Sequence, residues 1–308
     1  MADARARRIA QFIEPLRVAP GSTVDLAGDF DPRYKAAMSK GEGVALLAEG
    51  VELLAEYQAR LAAQDSRGVL LCLQAMDAAG KDGTIQHVMS GLNPQGVRVS
   101  SFKVPSDEEI DHDYLWRYAC RLPRRGEIGI FNRSHYEEVL VVRVHPEYLR
   151  RQRLPQESSD PGVWERRFRE INEWERHLSD NGFSVVKVFL NLSKEEQRRR
   201  FLSRIDRPEK NWKFSSADVR ERRHWDAYQR AYSEVLSATS TEWAPWYVIP
   251  ADRKWFARIC AAAVLGHALM EIDPQYPTVG EQAREDLKTA RRELEREAPD
   301  ARSRAVGG

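Results

Sequence analysis

The chain has 308 residues with 48 Lys+Arg against 47 Asp+Glu, a net charge of +1, and is 42% hydrophobic and 31% charged. That balance supports a buried core and excludes a fibrous repeat or a disordered chain, and the length fits one large domain or two small ones. Three scattered cysteines, Cys72, Cys120 and Cys260, offer neither a disulfide framework nor a zinc pair.

In chain order, residues 1–41 hold Pro15, Pro20, Gly21, Pro32 and Gly41 without clear periodicity, and we expect an irregular arm. Ala2 to Glu14 alternates Arg with Ala and lacks the apolar stretch of a secretory signal, so the chain reads as cytoplasmic. Helical spacing runs over 43–63, 83–91, 107–120, 163–179, 193–205, 216–238 and 254–272. Between these stretches lie five short apolar runs, 69–73, 97–102, 128–131, 185–190 and 246–249, read as buried strands. Strand then helix, repeated, predicts an α/β fold with a five-stranded parallel sheet covered on both faces. Residues 138–145 suit either state and are read as helix. The charge-free run Cys260–Met270 is 11 residues long, short of the roughly 20 that span a bilayer, so no membrane partner is expected. One domain over 42–275 is followed by a charged helix and tail over 276–308.

The near-zero total hides two basic windows. Lys194–Lys213 carries eight basic residues against four acids, and Arg117–Arg133 five against one, so each is +4. Two such windows suggest a polyanion partner.

The first apolar run leads into Met76-Asp77-Ala78-Ala79-Gly80-Lys81-Asp82-Gly83-Thr84 and then a helical stretch. Small residues let backbone N–H groups converge on a phosphate, the helix N-terminus adds its dipole, and lysine supplies a cation. The match to a P-loop is imperfect, with Ala75 in place of the first glycine and Asp82 in place of Ser or Thr. A carboxylate inside an anion-binding loop needs a cation, which makes Asp77 a natural Mg²⁺ ligand. The third run ends in Asn132-Arg133, at the strand end where parallel sheets bind ligands, and Asn132 brings no charge to a metal. Arg133 and Glu137 stand four apart, the spacing of a simple helical ion pair. In Gln197–Phe214, Arg200 and Arg204 share a helix face, Pro208 ends the helix, and Lys210 and Lys213 flank Trp212. We read a lid over about 197–220 that closes on phosphates. Lys103, Arg117, Arg121, Arg124 and Arg125 are expected to line a basic groove beyond Lys81.

Three segments, Asp77–Thr84, Gly126–Glu137 and Ile205–Phe214, with Ser101–Pro105 and Tyr114–Arg117, resemble the signatures of the second family of polyphosphate kinases over about residues 20 to 275. The resemblance implies a P-loop kinase fold like thymidylate kinase. It also implies reversible transfer of a terminal phosphate between inorganic polyphosphate and a nucleotide, with Mg²⁺ or Mn²⁺. On that resemblance Asp77 orients magnesium or the acceptor phosphate, Lys81 holds the transferred group, Arg133 binds phosphate, and Arg200 and Arg204 clamp from the lid. Glu137 in its Tyr-Glu pair resembles the class that accepts both mono- and diphosphates, with adenine and also guanine nucleotides as acceptors. A homo-oligomer is expected. Two other readings stay open: an ATP-dependent nucleoside or nucleotide kinase of the same fold, and an RNA-binding module, which the total charge of +1 disfavours.

Overall fold

The computed structural model describes residues 2–155 and 162–297. Five strands, β1 (Gly68–Ala75), β2 (Val97–Ser101), β3 (Ile128–Asn132), β4 (Phe183–Asn191) and β5 (Trp246–Pro250), form one sheet in the order β2-β3-β1-β4-β5. Every pairing is parallel. The register sets Leu73 beside Asn132, Ala75 beside Leu190 and Asn191 beside Pro250, so the carboxyl ends of the inner strands reach one rim together.

The longer helices are α1 (Ala2–Ile13), α2 (Lys40–Gln64), α3 (Lys81–Val88), α4 (Val163–Asp180), α5 (Lys194–Ile205), α6 (Ser216–Glu221), α7 (Trp225–Thr239), α8 (Lys254–Ile272) and α9 (Glu281–Arg296). Helices α1, α2 and α8 cover one face, where Leu54, Leu61, Leu265 and Leu269 are fully buried against the odd-numbered side chains of β1. Helices α4 and α7 contribute to the second core, with Ile171, Val235 and Leu236 packed near Tyr136 and Trp246. Helix α8 has the length and mean hydropathy, 1.4, to cross a membrane, yet 61% of that window is buried inside the protein. The chain divides into two compact units, Met1–Pro274 and Gln275–Gly308.

Several expectations need correction. The run 97–102 is not fully buried: β2 is an edge strand, with Val99 48% exposed. The first 41 residues are not wholly irregular and do not stand apart from the domain. The Ala-Arg alternation masked a helical face on which Ile9, Phe12 and Ile13 meet the core. The rest of that arm runs along β5, where Val18 N–H donates to the Trp246 carbonyl at 2.9 Å, and on to Asn191, whose amide donates to the Phe30 carbonyl at 2.8 Å. The predicted helix 107–120 breaks into Asp107–Asp111 and Trp116–Ala119. Between them the Asp113 carboxylate accepts from Leu115 N–H at 2.9 Å, a local turn that competes with helix. Residues 138–145 are only partly helical, with a 3₁₀ turn at His135–Glu138 and a short helix at Val141–Val144. The predicted tail at 298–308 lies outside the described residues.

Candidate active site

The loop between β1 and α3 turns through two left-handed residues, Ala78 (φ 64°) and Gly80 (φ 106°). Glycine adopts that region freely, whereas alanine there carries strain, the kind found at binding loops. Lys81 opens α3 and folds back, its Nζ donating to the Ala75 carbonyl at 2.9 Å. Burial first, and then the Arg133 guanidinium, pull its pKa down to about 8. At the adjacent rim of β3, the Asn132 amide donates to Asp82 Oδ1 at 2.8 Å.

Arg133 leaves β3 with φ 63°, and its guanidinium spans two carboxylates: Asp77 Oδ1 at 3.2 Å and Glu137 Oε2 at 3.3 Å. The Arg133–Glu137 contact is therefore half of a bridge, not an isolated surface pair. Buried Gln74 completes the chain, with its amide nitrogen toward Glu137 Oε1 at 2.9 Å and its oxygen toward the Ser134 N–H at 3.1 Å.

The turn that carries Arg133 and Glu137 rests on a buried polar network. Glu175 of α4 accepts from His135 Nε2 at 3.1 Å and from Tyr136 Oη at 2.8 Å. Lys187 of β4 donates to Glu175 at 2.6 Å, to Tyr136 Oη at 2.9 Å and to the Thr239 carbonyl at 2.5 Å. Burial pulls Lys187 below its ordinary range against the attraction of Glu175. Burial also works to raise Glu175, but Lys187 and the His135 hydrogen bond outweigh it and hold the carboxyl low. Burial keeps His135 neutral, so its Nε2 carries the proton.

Two cavities meet at this rim. The first, about 790 Å³, is bounded by Glu137, Glu138, Val141, Val142, Tyr228 and Tyr232, with Asp218 and Glu221 from α6. The second, about 730 Å³, takes in the whole loop Asp77–Thr84, with Ala78, Ala79, Gly80, Asp82 and Gly83 in its wall. Lys81, Lys103, Arg133, Arg204, Lys210, Lys213, Lys254 and Arg258 surround it. Asp77, Phe102, Lys103, Val104 and Arg133 border both cavities. A chamber with apolar walls and charges of both signs thus opens onto a cationic one across Asp77 and Arg133, an arrangement that suits a base and sugar on one side and a polyanion on the other.

Not all expected residues stand where the sequence suggested. Arg200 is not a free clamp: its side chain is 7% exposed. Its Nη1 donates to the carbonyls of Ala78 and Ala79 at 3.1 and 2.6 Å, and its Nη2 to those of Ala251 and Asp252 at 2.6 and 3.3 Å. It braces the phosphate loop while still lining the second cavity. Arg204 pairs with Asp218 at 3.3 Å and, with Lys210 and Lys213, does face the second cavity. Arg117 is buried, donating to the Lys103 carbonyl at 2.9 Å and paired with Glu109 at 3.3 Å. Arg124 and Arg125 lead into β3, and parallel strands put that end of the sheet opposite the rim, about 13 Å away along the five-residue strand. Arg125 there donates to the Asn181 carbonyl at 3.0 Å. Arg121, Arg124 and Arg125 line neither cavity. Sequence reading missed Gln74, Asp218, Lys254 and Arg258. The last two carried a signal: four apart at the start of the helix that follows β5, they are placed at a strand's carboxyl end.

Among the described residues no group of three His, Cys, Asp or Glu forms a metal cage. Magnesium does not need one, since it binds through one or two carboxylates, phosphate oxygens and retained waters. Asp77 and Asp82, on either side of Lys81 in the second cavity, fit that donor set.

The sequence matches the family model described as Polyphosphate kinase 2 over residues 37–277. It is 49% identical over 282 residues to the ADP-polyphosphate phosphotransferase of Rhodopseudomonas palustris, covering 90% of this chain and 96% of that one. It is 47% identical over 263 residues to the AMP/ADP-polyphosphate phosphotransferase of Meiothermus ruber, covering 85% and 94%. The crystal structure of polyphosphate kinase 2 from Arthrobacter aurescens TC1 superposes with a TM-score of 0.81 at 42% identity, covering 90% of this chain and 96% of that one. The phosphate loop, the paired cavities and these likenesses agree, and the chain belongs to the polyphosphate kinase 2 family.

Proposed function

We propose that this protein transfers the terminal phosphoryl group of inorganic polyphosphate to AMP and ADP, reversibly. The observation that carries the reading is the meeting of two unlike cavities at Asp77 and Arg133. Polyphosphate occupies the cationic cavity, and the nucleotide enters the other with its terminal phosphate toward Arg133. A terminal oxygen of the nucleotide attacks the end phosphorus of the polymer. The bridging P–O bond breaks, and the shortened chain keeps the electron pair. The attacking phosphate is already ionised at neutral pH, so no general base is required. Lys81 and Arg133 stabilise charge on the moving group, and positioning supplies most of the rest. Arg204, Lys210 and Lys213 hold the polymer. When bound, magnesium, or manganese in its place, neutralises phosphate charge beside Asp77 and Asp82. Arg200 serves by fixing the loop carbonyls.

The relatives' names differ in acceptor, one ADP and one both AMP and ADP. The resemblance of this chain's Tyr136-Glu137 pair to the class that accepts both supports the wider range, and Glu137 lines the first cavity beside Arg133. Guanine nucleotides as further acceptors and a cytoplasmic setting belong to the same proposal. Incubation with AMP, Mg²⁺ and long polyphosphate without ATP should yield ADP and then ATP, and Asp77→Asn or Lys81→Ala should abolish both. Conversion of ADP but not AMP would restrict the acceptor range. Transfer only when ATP is the donor would overturn the proposal.

A further inference from the structure

Helix α9 buries none of its side chains. Its apolar residues are Ala283, Leu287, Ala290 and Leu294, at intervals of four, three and four, the spacing of a coiled-coil seam. Leu287 and Leu294 are 61% and 67% exposed. With these leucines at the a positions, Ala283 and Ala290 fall at d, Arg284 and Arg291 at e, and Asp286 and Glu293 at g. One flank of the seam is basic and the other acidic.

That division selects both partner and direction. In a parallel pair of identical helices, each g residue faces the e residue of the next heptad, so Asp286 meets Arg291 of the second copy. In an antiparallel pair g faces g and e faces e, which sets acid against acid and arginine against arginine. Five acidic and five basic residues balance along the helix, without the basic excess of a helix that lies on anionic lipid. Within one chain Arg291 Nε bonds Glu295 at 2.7 Å, but that pair is 79% and 61% exposed and exchanges readily.

We infer that the Glu281–Arg296 helices of two copies of this chain pair in parallel along Leu287 and Leu294, with Asp286 and Arg291 fixing the direction. The inference is independent of the phosphotransfer reaction. Two heptads with alanine at d make a weak seam, so a covalent trap is the suitable probe.

The test uses the full chain with exposed Cys120 changed to Ser and one new cysteine, L287C or, on the opposite face, R292C. Mild oxidation should convert L287C to a disulfide-linked dimer and leave R292C largely monomeric on non-reducing gels, because a parallel seam brings residue 287 against its own copy. Equal yields from the two variants, or no linked dimer from L287C, would overturn the pairing. Adding D286R/E293R to one L287C chain and R284E/R291E to another should reduce linkage in each alone, and mixing them should restore it as the heterodimer. Undiminished linkage in either swapped chain alone would overturn the parallel assignment. Phosphotransfer activity reports folding in every variant.

Discussion

Burial and the Arg133 guanidinium leave Lys81 with a pKa of about 8, so the free protein sheds this charge as the pH climbs through that value. A polyanion beside the amine favours the charged form and raises the pKa again. Polyphosphate binding near pH 8 should therefore take up a proton, readable as a buffer-dependent heat in titration calorimetry, and the KM for polyphosphate should rise above about pH 8. Lys81→Arg keeps its charge throughout and should flatten that rise even if it binds less well. An equally steep rise in this variant would show that another group titrates. The loop lysine was legible because a glycine before it and a helix after it make a recognisable pattern. Arg200 was not, because the sequence shows its helix face but not the four carbonyls that converge on its guanidinium.

The turn from Arg133 to Glu138 owes its shape to elements far from it in sequence. One carboxylate on α4 grips two consecutive residues of the turn, and one ammonium on β4 ties that carboxylate to the end of α7. Glu175→Gln or Lys187→Met leaves the other member buried without its counter-charge and should cost about 3–5 kcal/mol in urea unfolding. The double variant Glu175→Leu with Lys187→Met removes both charges and should recover part of that loss. Additive losses would mean that the two groups act separately. The five strands were legible because apolar runs alternate with helical periods, and a lysine in the middle of the run 185–190 was an unused sign of a buried partner. Glu175 itself reads as one more polar residue on an amphipathic helix. Its burial is decided by the sheet and the turn beneath it, and no local pattern announces it.

Across the whole sheet, position along the strand decides which basic residues act. Both basic windows sum to +4, yet Arg124 and Arg125 sit where β3 begins, while Lys210 and Lys213 sit at the rim where the strands end. Lys254→Ala with Arg258→Ala should raise the KM for polyphosphate several-fold and flatten its salt dependence, with little change for nucleotide. Arg124→Glu with Arg125→Glu should leave both unchanged. Steady-state kinetics at two ionic strengths distinguishes them, and the reverse pattern would move the polymer to the other end of the sheet. Charge counted in windows finds the polyanion but not its address, because a parallel strand carries the chain from one end of the molecule to the other within a few residues.

The two margins of the sheet are guarded differently. At β5, the segment after α1 lays Arg17 antiparallel to Tyr247 and takes up the Trp246 carbonyl, while the Ser240 hydroxyl accepts the Trp246 N–H. At β2, five residues with Arg98 and two serines leave a short, polar rim. Open strand edges template intermolecular pairing, and brevity, charge and a covering segment are the usual defences. The N-terminal arm thus covers the margin of β5 on which a foreign strand would otherwise add.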